Sequence, residues 1–313
     1  MEMQEMKKGL DITVLFITVV LVLIVAFASP AFASDTKDAA PINKEVEKAQ
    51  QDQTAEKRKA LFEEATTAIR ETKNALKALD EKKTEEALAA LERASGKLTI
   101  ILGREPELAL APSDVSVVTY DILADVDAVK ALRDKIEDAL DDGRLQQARR
   151  LIKNLASETV ISVTNIPLAT YPDAIKKAVK LIDEEKMDEA KEELQLALNT
   201  LVVTETIIPL PVATVESYLK EAETLAEKSD RNKEENERLA DLLKDARKEL
   251  KFAQALGYGS KKDFRNMYKQ LGQIEEKTKC GKSGKGFFDK IKRYLKDTVK
   301  SSQKESENRK TKE

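Results

Sequence analysis

From about Arg58 onward the apolar positions of the chain recur every three to four residues. Leu61, Ala65, Ala68, Ile69, Leu76 and Leu79 fall on one face, the signature of an amphipathic helix. The pattern breaks at a turn that occurs three times. Ala78-Leu79-Asp80-Glu81-Lys82-Lys83-Thr84-Glu85-Glu86-Ala87 is matched by Ala139-Leu140-Asp141-Asp142-Gly143-Arg144-Leu145-Gln146-Gln147-Ala148, and again by Leu181-Ile182-Asp183-Glu184-Glu185-Lys186-Met187-Asp188-Glu189-Ala190. In each copy an aliphatic residue closes one helix, Asp-acidic-x-basic makes the turn, and a second helix opens with a small Ala near its start. Alanine lets two antiparallel helices approach closely, and the acidic or amide residues before it suit a helix N-terminus. Leu91, Ile152 and Leu194 follow one turn later and are expected to face the same core. Pro106, Pro167 and Pro209 then fall nineteen residues after the Ala in every copy. Proline stops a helix and forces its predecessor into an extended conformation, so the unit reads as a helical hairpin closed by a proline turn.

The second and third units share more. Ile166-Pro167-Leu168 matches Ile208-Pro209-Leu210, and each follows a β-branched run, 159–164 and 202–208. Those runs would be short strands or tight helix ends, and their continuity with a helical pattern favours helix ends. The proline loops serve as packed connectors, since most short loops simply join elements. Gathered at one end of the hairpins, they would instead form a partner surface. Beyond Pro211 a further helix pair is expected, with Leu219, Ala222 and Leu225 on one stripe and Leu239, Leu242, Leu243, Ala246 and Leu250 on the next. A highly charged linker, Ser229 to Asn236, separates them. Ala255-Leu256-Gly257-Tyr258-Gly259 breaks the pattern again before a helix through Ile274. The predicted fold class is all-α, a bundle of repeated antiparallel helical hairpins joined by proline turns, with short extended segments. Unequal repeat spacing, 61 then 42 residues, argues for a compact bundle over a regular solenoid.

The ends of the chain read differently. Lys7 and Lys8 precede an apolar run from Ile12 to Phe27, followed by Ala28-Ser29-Pro30-Ala31-Phe32-Ala33-Ser34. A basic start, an apolar stretch and small residues at Ala31 and Ala33 describe a secretory signal peptide, residues 1–33. An uncleaved inner-membrane anchor is the competing reading, since the run with its flanks approaches the ~20 residues of a membrane span. Either way the rest is expected outside the cytoplasm, in the periplasm. Residues 34–56 read as a polar tether or a frayed first helix, 57–275 as the hairpin domain, 276–300 as a basic amphipathic C-terminal helix, and 301–313 as a disordered tail.

Composition narrows the chemistry. The 54 basic and 57 acidic side chains nearly cancel, whereas nucleic-acid binding needs a basic excess on one face. Histidine is absent, which removes the usual general base, the commonest metal ligand and the ordinary near-neutral pH switch. The single cysteine, Cys280, excludes an internal disulfide framework and a thiolate-rich metal site. Its neighbours Lys279 and Lys282 would lower its pKa, but an incidental role is the expectation. Gly281-Lys282-Ser283 faintly resembles a phosphate loop, yet the glycine that the motif requires ahead of it is missing. Asp80, Asp141 and Asp183 read as turn-capping residues, and the acidic positions offer no persuasive catalytic pair. No catalytic, cofactor-binding or metal-binding residues are assigned. Residues 279–313 carry twelve basic and five acidic side chains around the apolar stripe Phe287, Phe288, Ile291, Tyr294 and Leu295. That stripe would dock on the protein's own helices, or on anionic lipid or an acidic partner. The candidate partner surface is therefore Ile166, Pro167, Leu168, Ile208, Pro209, Leu210, Phe287, Phe288 and Ile291.

With the hairpin repeat, the turn Ala255-Leu256-Gly257-Tyr258-Gly259-Ser260-Lys261-Lys262-Asp263-Phe264 and the run Gly286-Phe287-Phe288-Asp289-Lys290-Ile291, the chain resembles the YfdX family of bacterial exported proteins over roughly residues 55–300. The resemblance implies a mostly helical periplasmic protein, a homo-oligomer, associated with acid and drug stress and with no established enzymatic role. The leading expectation is a non-enzymatic binding or chaperone-like protein that takes unfolded clients. Below about pH 4 its carboxylates protonate, pairs such as Glu234–Arg238 and Glu227–Arg231 lose their attraction, and self-repulsion exposes apolar helix faces. A constitutive scaffold for an envelope protein and a small-molecule binder are the alternatives.

Overall fold

The computed structural model describes residues 42–298, with side-chain surroundings from residue 55 onward. The signal or anchor segment, the start of the proposed tether and the tail beyond 298 lie outside the described residues. In chain order the elements are α1 (Ile42–Asp80), α2 (Thr84–Arg104), β1 (Leu110–Tyr120), α3 (Val126–Asp141), α4 (Leu145–Ile152), β2 (Glu158–Pro167), α5 (Tyr171–Asp183), α6 (Met187–Asn199), β3 (Val202–Pro209), α7 (Leu210–Glu227), α8 (Lys233–Leu256) and α9 (Lys261–Thr278). A 3-10 turn at Lys279–Gly281 and a last helix, α10, over 289–298 complete it. Among the described residues the fold is mostly helical, as the sequence pattern requires, with one small sheet.

The repeat is therefore helix–helix–strand, three times over. The β-branched runs expected to end helices are β2 and β3: burial on one side and pairing on the other reward β-branched residues in a pleated strand. β2 and β3 are antiparallel, with Glu158 opposite Pro209, Ile161 opposite Thr206 and Asn165 opposite Val202. β1 is the other neighbour of β2. Ser113 Oγ donates to the Thr164 carbonyl at 3.0 Å and the Thr119 and Thr159 hydroxyls meet at 3.0 Å, so these two strands also run in opposite directions. Pro167 and Pro209 thus terminate strands, and only Pro106 sits just past a helix end, at Arg104. The segment 42–56, read as a polar tether or a frayed first helix, is helical and belongs to α1.

Main-chain bonding fixes all three hairpin turns. Lys83 N–H donates to Ala78 O at 2.8 Å and Lys82 N–H to Leu79 O at 3.1 Å. Arg144 to Ala139, Gly143 to Leu140, Lys186 to Leu181 and Glu185 to Ile182 repeat the pattern at 2.7, 3.0, 2.9 and 3.0 Å. This is the Schellman motif, which requires a left-handed residue just past the helix. Lys82, Gly143 and Glu185 fill that position at φ of 61°, 72° and 60°. Asp80, Asp141 and Asp183 are the last helical residues before the turn, not the N-caps of the helices that follow. The expected capping role gives way to main-chain bonds.

The chain forms two compact units, one running to Ala111 with Pro172–Leu194, the other Pro112–Tyr171 with Gln195 onward. In the first unit α1 and α2 zip together on small residues: Ala65, Ala68, Thr72, Ala75 and Leu79 face Ala87, Leu91, Ala94, Leu98 and Ile101, all buried. The spacing alternates three and four, the coiled-coil seam. Ile69 and Leu76, expected on the core face, are only half-buried, because alanine permits a backbone approach that leaves the larger side chains at the flank.

The second unit holds a large apolar core. Val215, Leu219 and Ala222 of α7, Leu239, Leu242, Leu243 and Leu250 of α8, Phe264, Met267, Leu271 and Ile274 of α9, and Phe288, Ile291 and Leu295 near the C-terminus form one buried cluster. α8 and α9 each begin in a capping box, Asn232 with Glu235 and Ser260 with Asp263, and Gly257 ends α8 at φ 87°. The α3–α4 hairpin keeps only a small cluster of Ile136, Ala139 and Ala148. Its Ile152 is half exposed, unlike Leu91 and Leu194, so the expected shared core position fails in this copy.

Candidate functional site

The residues singled out as a partner surface lie mostly inside the second unit. Ile166, Leu168, Phe288 and Ile291 are buried, as is Pro209, while Pro167, Ile208, Leu210 and Phe287 are half-buried. They do not gather into an exposed patch. β2 and β3 turn Ile166 and Pro209 inward, and the C-terminal segment folds back onto α7, α8 and α9. Over its described residues, 276–298, the expected C-terminal helix is the end of α9, the 3-10 turn, an irregular stretch and α10.

Arg231 anchors that return. Only 9% exposed, it donates to the carbonyls of Leu225, Ala226 and Lys228 at 2.9, 3.1 and 2.8 Å, and to Lys282 O at 2.6 Å. The carbonyls that terminate α7 present the negative end of its dipole, so the guanidinium is held by dipoles and by Asn236 Oδ1 at 3.1 Å. Gly284 N–H adds a bond to Ala226 O at 3.1 Å, Lys292 pairs with Glu223, and Lys277 Nζ stands 4.9 Å over the Phe287 ring. The pairs Glu227–Arg231 and Glu234–Arg238 do not form: Arg231 is occupied as described, and Arg238 reaches across to Glu221, with Nε and Nη2 at 2.8 and 3.0 Å.

The charged groups with most consequence flank the alanine seam of the first unit. Glu71, 7% exposed, accepts from Arg93 Nε at 2.8 Å, with Nη2 also at 2.8 Å. Arg70 stands at 3.6 Å on its other oxygen. Burial pushes this carboxyl up, but hydrogen bonds from Arg93 and Asn74 and the charges of Arg93 and Arg70 outweigh it and hold it below the usual glutamate range. About two helical turns earlier, Glu64 Oε2 lies 2.7 Å from Lys97 Nζ. Each of the three turns carries its own clasp: Glu81–Lys83 at 2.9 Å, Asp142–Arg144 at 2.7 Å and Glu184–Lys186 at 2.7 Å. The lysine hydrogen bonds lower the carboxyls of Glu81 and Glu184.

In the second unit, Tyr258 Oη accepts from the buried Ser157 N–H at 2.8 Å, and burial raises the phenol well above its ordinary value. Ser157 Oγ donates to Asp121 at 2.7 Å. Burial also raises the carboxyl of Glu249, with Asp245 and Asp121 adding to the shift against Lys248. Two clefts of about 380 and 400 Å³ are lined mainly by charged side chains, Glu221, Glu234, Glu235 and Arg238 in one, Lys77, Glu81, Lys83, Glu86 and Arg93 in the other. Among the described residues no cluster of three or more acidic or cysteine side chains is placed to hold a metal ion. None of the described helices is long and apolar enough to cross a membrane. Cys280 sits in the 3-10 turn.

Three helix–helix–strand repeats followed by further helices define a mostly α protein whose distinguishing features are structural. Residues 68–207 match the family described as YfdX protein, and this repeat region, 140 of the 313 residues, belongs to the YfdX family. The match is narrower than the resemblance suggested, and the motifs at 255–264 and 286–291 fall outside it. A solved structure of Salmonella Typhi YfdX is similar at 16% identity and a TM-score of 0.34, over 47% of this chain and 91% of that one. No curated protein matches the chain.

Proposed function

We propose that this is a non-enzymatic, exported, chaperone-like binding protein that acts in the envelope under stress, and that acid opens its α1–α2 hairpin towards unfolded clients. The observation that carries this reading is the construction of that hairpin. Its seam is largely alanine, which buries little apolar surface per residue, and the nearly buried Glu71 bridges to Arg93 beside it. A carboxyl held below its usual range stabilises the fold above the unfolded value, and that contribution is lost as the pH falls through the folded value. For Glu71 the loss begins below the ordinary glutamate value of 4.5. The chain has no histidine, so little changes between pH 8 and 5 and the response is confined to strong acid. Opening would present Leu79, Leu91, Leu98 and Ile101 to a client.

The test is suppression of an unfolding client's aggregation by residues 34–313 at pH 7 and again near pH 3.5, with sedimentation alongside. Suppression confined to acid is expected. Equal suppression at both pH values would point to a constitutive scaffold, and none at either would end the proposal. Stabilisation by a drug at neutral pH would favour a small-molecule binder instead.

A further inference from the structure

We infer that the outer edge of β1 is a two-fold interface, at which the same strand of a second copy adds in antiparallel register and makes a six-stranded sheet. β1 lies at one end of the strand order, so among the described residues one side of its main chain has no neighbouring strand. Its residues from Ser116 to Tyr120 are all exposed, with Val117, Val118 and Tyr120 at 47%, 43% and 49%. An edge left open in this way is normally protected by a lysine, a proline or a bulge. Between Ser113 and Tyr120 there is no lysine and no proline, and Asp114 is the one charge. At the other end of the sheet, β3 carries Glu205 at its middle.

The sequence of the edge favours its own copy over another strand. A two-fold axis normal to the sheet must pass through a residue, because paired residues of antiparallel strands point to the same face. The segment 114–120 is centred on Val117. With the axis there, Val117 meets Val117 of the second copy, Ser116 meets Val118, Val115 meets Thr119, and Asp114 meets Tyr120. Every inner pair is β-branched or small, which suits cross-strand packing. The sole carboxylate faces a phenol donor and no second carboxylate. An isologous contact of this kind closes on itself, so it covers both β1 edges and ends growth there.

Sedimentation of residues 34–313 tests it, with wild type, Val117→Lys and Val117→Glu compared at one concentration and far-ultraviolet circular dichroism as the folding check. Either substitution places like charges directly across the axis, and it is expected to weaken association at least about tenfold and halve the mass with the helical signal unchanged. Mixing the two variants pairs Lys with Glu across the axis and is expected to restore the wild-type mass. A single cysteine at 117, in a Cys280→Ser background, is expected to cross-link under mild oxidation more readily than one at 116 or 118, since only residue 117 meets its own copy. A monomeric wild type, an assembly that Val117→Lys leaves intact, or a charge-paired mixture that stays dissociated would each overturn the inference.

Discussion

Glu71→Gln isolates the acid sensitivity of the first unit. The substitution keeps the shape of the side chain and an oxygen to accept from Arg93, and removes the charge. A hydrogen bond to a charged group contributes about 1.5–3 kcal/mol and a neutral one about 0.5–1.5. Arg93 is 56% exposed on its side chain, so solvent screens part of the attraction and the lower end applies, a loss of about 1 kcal/mol. That is roughly a fivefold change in an opening equilibrium. Amide hydrogen exchange of peptides covering 65–79 and 87–101, corrected for intrinsic rates, reads it directly. At pH 7 the variant should exchange about fivefold faster across the seam. As the pH falls below 4.5 and through the lowered value the wild-type carboxylate loses its charge as well, so the two proteins should converge. A gap that does not narrow as the pH falls, or no gap at pH 7, would refute the assignment of Glu71 as the acid-sensitive link.

Other substitutions probe the remaining parts of the fold. Lys82→Gly and Glu185→Gly remove a side chain from a left-handed position that glycine fills in the second repeat, and each should stabilise by about 1 kcal/mol, while Gly143→Ala should cost about as much; thermal unfolding should show shifts of roughly 2–4 °C. Arg231→Met removes a donor from each of four carbonyls and should destabilise by about 2–3 kcal/mol, with tryptic cleavage after Lys282 or Lys285 speeding up before the rest unfolds. Glu249→Gln should raise stability at pH 7 and leave it unchanged at low pH. Burial holds that carboxyl above its ordinary value, so the wild type gains stability as the pH falls through the raised value, and denaturant titrations at the two pH values check the sign.

What the sequence disclosed was the local part of the structure. The three turns are set by residues within six positions of each other, and the alternation of an acidic residue, a left-handed residue and a basic residue is visible as Glu81-Lys82-Lys83, Asp142-Gly143-Arg144 and Glu184-Glu185-Lys186. The buried alanines at 87, 148 and 190 followed from the same alignment. The strands did not, because β2 gains its stability from partners some 40 residues away and its β-branched run continues a helical stretch without a break. Ion pairs were misassigned for a related reason. Spacing along one helix proposed Glu234–Arg238, whereas the long Arg238 side chain reaches Glu221 on α7. Apolar content does not distinguish a loop that faces solvent from one folded into a core, so the burial of Ile166 and Phe288 was not legible either. The exposed edge at 116–120 was hidden in the sequence as well, since it depends on which strand ends the sheet.

The distribution of charge and core between the two units bears on how acid would act. Lowered carboxyls occur in both: Glu71, Glu81 and Glu184 in the first, Glu221 and Glu235 in the second. Each contributes less to stability as it protonates. The difference lies in what remains. The second unit retains Leu239, Leu242, Phe264, Phe288 and their neighbours, and burying one such side chain contributes about 1.5–3 kcal/mol. In Glu249 it also holds a carboxyl whose protonation favours the fold. The α1–α2 seam has five alanines among its ten facing residues, each with a single methyl group to bury, so the loss of one bridge removes a larger share of what holds it. Acid should therefore loosen the hairpin while the second unit, with the β1 edge, stays folded. In exchange measurements at pH 3.5 that order would appear as lost protection at 65–79 and 87–101 with protection kept at 239–250 and 264–274, and the reverse order would contradict the proposed route to client binding.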